Sequence, residues 1–237
     1  MEHIDIKGII FDYGGTIDTH GIHWSEVIWD GYQSVGIKVT KDVFREAYVY
    51  TERELARVRH IMPKDNFLVL LQKKMMIEFG YLASKSIIDL DFVDMYAQQV
   101  ARYCYLRARS SVDEARPVLE ALSKRFPMVL VTNFYGNVDS VLADFDLKRY
   151  FISVIESAVV GIRKPDPRIF QLGVDALHLQ PTDVLVVGDS YRKDIVPAES
   201  IGCHVLWLKG KGWTAEEDAQ MHPCIIHNLS EVTDLAL

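Results

Sequence analysis

The chain has 237 residues, 49% hydrophobic and 25% charged, a balance that suits a globular α/β core with or without a smaller module and excludes disorder as the main state. A formal net charge of −7 argues against general binding to nucleic acid or to an anionic membrane, both of which rest on basic surface. No apolar stretch is long enough to span a membrane, and Met1–Asp5 lacks the basic lead into an apolar core that marks a signal peptide, so a cytoplasmic location is expected.

The first predicted element is Ile6–Phe11, a continuous apolar run of the length expected for a strand buried on both faces. It ends at Asp12-Tyr13-Gly14-Gly15-Thr16. A carboxylate at a strand tip, followed by glycines, lies where open α/β sheets bind ligands and where the backbone can approach an anion. The same pattern also describes a plain turn. From about Thr19 to Ala108 strand signals are few and helical period takes over. Ile22–Val35 predicts a helix, Thr40 caps another running toward Arg59, and Asp65 caps a third that stops at Gly80. Asp89 or Asp91 starts a fourth, with Val93, Tyr96, Ala97, Val100 and Tyr103 on one face. The economical arrangement is an all-helical insert, residues 19–108, joined to a core of residues 1–18 and 109–237 by crossings near Asp18 and Arg109. Its Tyr and Met residues are expected to pack helix against helix.

Beyond the insert, Asp113–Phe126 predicts a helix leading into a strand at Met128–Val131. The turn that follows, Thr132-Asn133-Phe134-Tyr135-Gly136, offers a hydroxyl and the first N–H groups of a helix as an anion cradle, with simple capping as the plainer role. Ile152–Ile155 is a further strand candidate. In Gly161–Pro167, Pro165 and Pro167 stiffen the loop around Lys164, and Asp166 suits the cap of a helix over Pro167–His178. A strand at Val184–Val187 then runs into Gly188-Asp189-Ser190-Tyr191-Arg192-Lys193-Asp194. Two carboxylates five residues apart, bracketing a helix start, suit a hard cation that keeps several waters. A helix over Asp194–Ile201 and a strand at His204–Leu208 complete an alternation that reads as a doubly wound parallel sheet. Cys104, Cys203 and Cys224 form no CxxC pair and read as reduced thiols.

Asp12, Thr132, Lys164 and the Asp189/Asp194 pair follow one another on successive strand ends. In this the chain resembles the haloacid dehalogenase (HAD) superfamily, in the branch with a helical cap inserted after the first motif, over nearly its whole length. The resemblance implies an α/β fold, a three-layer α/β/α Rossmann-like parallel-sheet core with an all-helical cap. It implies a Mg²⁺-dependent phosphohydrolase acting on a small phosphorylated molecule, with Asp12 as the nucleophile that becomes an aspartyl-phosphate. Thr132 and Lys164, with Gly15 and Asn133, would hold the phosphoryl group. Mg²⁺ would sit on Asp12, the main-chain carbonyl of Gly14, Asp189 and Asp194. No partner beyond the substrate is implied, and oligomeric state stays open.

One position departs from the family pattern. Most phosphatases of this superfamily carry an acid/base Asp two residues after the nucleophile, and here that residue is Gly14. Three readings follow. The chain is a phosphohydrolase that acts on good leaving groups or takes an acid from Asp18, His20 or His23. It resembles phosphonoacetaldehyde hydrolase, which forms a Schiff base on a cap lysine, for which Lys64 and Lys73 are nominees. Or it is a catalytically weak protein that keeps its metal and phosphate sites for binding. The 2-haloacid dehalogenases also lack the second Asp, but they work without metal and do not keep the Gly-Asp-Ser-x-x-x-Asp segment.

Overall fold

The computed structural model describes residues 6–235, with backbone only for Asp234 and Leu235. The reading of Met1–Asp5, and the outermost ends of the expected core, lie outside the described residues. Six strands, β1 (Gly8–Phe11), β2 (Met128–Thr132), β3 (Ser153–Glu156), β4 (Val184–Gly188), β5 (His204–Leu208) and β6 (Ile225–Ile226), form one sheet in the order β3-β2-β1-β4-β5-β6. All five pairings are parallel. The period of two in each strand sends alternate side chains into two cores. Ile9, Phe11, Leu130 and Val187 enter one, while Ile10, Val129, Val131 and Val186 enter the other. Both faces are therefore covered, which is why these strands read as unbroken apolar runs. The chain leaves β1 for β2 and β3 on one side and returns to β4 on the other. The switch point thus falls at the carboxyl ends of β1 and β4, where open α/β sheets bind ligands.

Between β1 and β2 the chain is helical: α1 (Trp24–Val35), α2 (Lys41–Arg57), α3 (Phe67–Ser84) and α4 (Val93–Ser123). Their interior is aromatic, with Tyr32 stacked on Phe79 at 4.8 Å and edge-on to Phe44 at 5.0 Å. Tyr32 and Met75 are buried as expected of packing residues, whereas Tyr50, Met62, Met76 and Met95 lie exposed.

Several helix boundaries differ from the sequence expectation. Asn66, not Asp65, caps α3, its side-chain oxygen accepting from the Val69 N–H at 3.0 Å. The Asp65 carboxylate is occupied by the Met62 N–H and the Lys73 ammonium. Gly80 is an interior residue of α3, because the apolar stripe carries on to Leu82. Finally, the expected helices after Asp91 and over Asp113–Phe126 are halves of one 31-residue helix, α4. Its buried stripe runs on through Ala108, Ser111, Val112 and Ala115 with no glycine to stop it.

The remaining helices are α5 (Val138–Asp144), α6 (Ser157–Val160), α7 (Arg168–Leu177), α8 (Val196–Ser200), α9 (Ala215–Ala219) and α10 (Glu231–Leu235). Asp194 does not open a helix as expected; it lies inside a π turn, Tyr191–Ile195, that precedes α8. Among the described residues no helix is long and apolar enough to cross a membrane.

Candidate active site

Asp12 follows β1, and its N–H donates to Val187 O on β4 at 2.9 Å, which locks the carboxylate to the switch point. One carboxylate oxygen accepts from Lys164 Nζ at 2.5 Å and the other from the Thr16 hydroxyl at 3.1 Å. The same ammonium reaches Asp194 at 2.6 Å, and the second Asp194 oxygen accepts from the Ser190 N–H at 3.0 Å. Asp189, after β4, faces the Thr16 hydroxyl at 3.1 Å. Gly15 permits this closeness: its φ is +103°, and a Cβ there would stand 2.4–2.5 Å from the Asp189 carboxylate.

Oxygens of Asp12, Asp189 and Asp194 lie within 4.8 Å of one another, and among the described residues the cation that pairs with this cluster is Lys164, through Asp12 and Asp194. The charge does not balance. Burial first, then neighbouring carboxylates, push Asp12 up despite Lys164, and push Asp189 well up. Burial opposes the Lys164 charge, yet Asp12 and Asp194 outweigh it and hold its pKa above the ordinary value. The lone Thr16 proton also serves two carboxylates at once. An all-oxygen set with surplus negative charge fits a hard divalent cation.

The expected residues mostly converge. Asp12, Gly14, Gly15, Asn133, Lys164, Asp189 and Asp194 all line one cavity of about 160 Å³. Thr132 is buried one residue behind the wall and is not among the lining residues. The Asn133 side chain clamps the Lys164 peptide from both sides, accepting from its N–H at 3.0 Å and donating to its carbonyl at 3.1 Å. The helix-end anion cradle expected after Thr132 is already filled. Buried Glu156 accepts from the N–H groups of Gly136 at 2.6 Å and Asn137 at 3.1 Å, in front of α5.

The nominated acids divide. His20 turns toward Glu114, with Nε2 3.1 Å from its carboxylate. Asp18 is fully covered, accepting from the Gly15 N–H at 2.7 Å and from Trp24 Nε1 at 3.1 Å, and burial pushes its pKa up to about 8. His23 does line the cavity, but burial, then Lys193 and Lys74, lower its pKa to about 4.

The cap side of the cavity holds residues that sequence reasoning missed. Lys64 is exposed and Lys73 binds Asp65, while their neighbour Lys74 is buried and lines the cavity. Lys74 pairs with Glu52, which also accepts from the Tyr135 hydroxyl at 3.2 Å. Burial disfavours the Lys74 charge, but Glu52 more than offsets this and keeps its pKa well above the ordinary value. The available signal was its period: Lys74 shares a helix face with Phe67, Leu70 and Leu71, all buried.

Comparison with known proteins identifies the family and the fold. A family model for haloacid dehalogenase-like hydrolases matches residues 6–202. Haloacid dehalogenase-like hydrolase domain-containing protein 3 of Mus musculus is 31% identical over 100 residues, 42% of this chain and 40% of that protein. The chain thus matches well under half the length of that relative. The glyceraldehyde 3-phosphate phosphatase of Pyrococcus furiosus is 28% identical over 198 residues, covering 75% of this chain and 79% of that protein. Among solved structures, a putative HAD-hydrolase from Bacillus subtilis bound to magnesium shares the fold. Its TM-score is 0.60 at 20% identity, over 98% of each chain.

Proposed function

The chain belongs to the haloacid dehalogenase-like hydrolases, and from that premise we propose that it is a Mg²⁺-dependent phosphatase of a small organic phosphate. The observation that carries the proposal is the Asp12 carboxylate held between Lys164 and Thr16, with Asp189 and Asp194 drawn into the same cluster. Asp12 attacks phosphorus as the bond from phosphorus to the ester oxygen breaks, the alcohol leaving with a proton taken from water. A second water then attacks phosphorus of the aspartyl-phosphate, releasing phosphate and restoring the Asp12 carboxylate. Lys164, kept protonated by its two carboxylates, meets the incoming phosphoryl oxygens and lowers the repulsion between two anions. Gly15 and Thr132 complete the phosphoryl-binding turn ends, and Asn133 holds Lys164 in place. Mg²⁺ would be held by Asp12, the main-chain carbonyl of Gly14, Asp189 and Asp194. When bound, it neutralises charge on the carboxylates and the phosphoryl group.

The cavity of about 160 Å³ compares with roughly 150 Å³ for one that holds benzene, which supports a small substrate. The helices between about residues 19 and 108 would act as the lid that excludes water. A phosphatase as a relative accords with the same reading. The Schiff-base alternative finds less support: Lys74, a cap lysine that lines the cavity, is paired and held protonated, the reverse of what a nucleophilic amine needs.

The test is phosphate release from p-nitrophenyl phosphate, acetyl phosphate and sugar phosphates, with Mg²⁺ and with chelator, beside calorimetric titration of Mg²⁺. Turnover is expected only with the metal, and Asp12→Asn should abolish it in a folded protein. Near wild-type turnover in that variant would sink the mechanism.

A further inference from the structure

Beside the cavity lies a larger cleft of about 650 Å³. One wall is the end of α2 and the segment after it, residues 55–61; the other is the core segment 134–136 with Arg163. The two spaces share Glu52, Phe134, Tyr135 and Arg163, so the Tyr135–Glu52 hydrogen bond stands on the boundary between them.

The charges on this cleft are unevenly matched. Glu52 is taken by Lys74, while Arg57 and His60 both bind Glu54. Arg59 on the cap wall and Arg163 on the core wall have no carboxylate within 4.0 Å among the described residues. Arg59 reaches across the cleft: its Nη2 stands 4.0 Å from where a Cβ on Gly136 would be. The Gly136 N–H is spent on Glu156, so the guanidinium groups hold the cleft's free positive charge. In a chain of net charge −7, two unpaired arginines facing one cleft are not part of a general basic surface. Both offer free donors to the cleft, and the planar forks of arginine match a carboxylate or phosphoryl group.

We propose that this cleft is an accessory anion site. The substrate carries a second anionic group, held by Arg59 and Arg163, on a skeleton long enough to pass Tyr135 and Glu52 while its scissile phosphoryl lies at Asp12. The statement about substrates rests on the phosphatase reading; the anion site itself does not.

The test is therefore split. Calorimetry with Mg²⁺ present compares a series of alkylphosphonates of increasing length that end in a carboxylate, a second phosphonate or a neutral amide. Anion-ended members are expected to bind about tenfold tighter than the amide of the same length, a typical return for a charge-assisted contact. The better of the two anionic ends identifies the group recognised. Arg59→Ala and Arg163→Ala should each erase most of that gain, and Arg59→Lys should restore part of it. Equal affinity for anionic and neutral tails, or an undiminished gain in Arg59→Ala, overturns the site. In parallel, turnover of the matching phosphate esters should favour the anionic tail through KM. Selective binding with no turnover of any ester would leave the anion site standing and sink the phosphatase reading. Turnover without preference would sink the substrate proposal alone.

Discussion

At the scale of single residues the sharpest question is Gly14. Backbone geometry does not demand glycine there: its φ is not positive, and an added Cβ would meet only Trp24 Nε1, at 3.9 Å. The position therefore has room for a Cβ, and it lines the cavity. Neither nearby acid replaces a carboxylate there well, since His23 has already lost its proton at neutral pH and Asp18, though protonated, is walled off behind Gly15 and Trp24. Gly14→Asp is expected to raise kcat/KM on alkyl phosphates by up to roughly 10²-fold, within the range of general acid–base help, and much less on p-nitrophenyl phosphate. A ratio of the two unchanged in a folded variant would show that protonation of the leaving group is not what limits the enzyme. Asp12 and Asp189 were legible because each directly follows a buried strand, and Lys164 because prolines stiffen the loop around it. Lys74 was not, because proximity across the cap and core leaves no pattern in the chain beyond a charge on an apolar helix face.

At the scale of elements, strands were readable and helix limits less so. A strand buried on both faces must be apolar throughout, and Met128–Val131, Val184–Val187 and His204–Leu208 declare themselves within a residue. A helix ends where its caps and contacts tell it to, and these are tertiary: the continuity of α4 depends on a stripe packed first on the cap helices and then under the sheet. The start of α5 shows the same dependence. The N–H groups of Gly136 and Asn137 just before it, and of its first residue Val138, are satisfied by Glu156, which sits on β3 some twenty residues later. Glu156→Ala is expected to lower unfolding free energy by about 2–3 kcal/mol, because buried donors lose a charged acceptor. Glu156→Gln, which keeps the acceptor, should cost about half as much. Equal losses in chemical denaturation would show that the side chain acts through packing and not as a cap.

For the whole molecule, the buried carboxyl groups tie stability to pH in the direction opposite to that of most surface acids. Burial pushes Glu78, inside the cap, up to about 7 and Asp18 up to about 8. An acid whose pKa rises on folding stabilises the protein fully below its unfolded pKa, and that contribution is lost as pH climbs through the folded value. The folded state should therefore weaken between about pH 5 and pH 8. The cap supplies part of this through Glu78, of which one oxygen accepts from Tyr32 at 2.7 Å and the other has no hydrogen-bond partner among the described residues. In Glu78→Gln the fall from pH 5 to pH 8 is expected to shrink by on the order of 2 kcal/mol, measured by urea unfolding at both pH values. A variant with the same fall as wild type would mean that Glu78 stays ionised in the fold, with Lys74, four residues earlier on the same helix, neutralising it. That outcome would tie the cap's buried polar residues to the Glu52–Lys74–Tyr135 cluster at the cavity wall, making one charged network of cap interior and cavity.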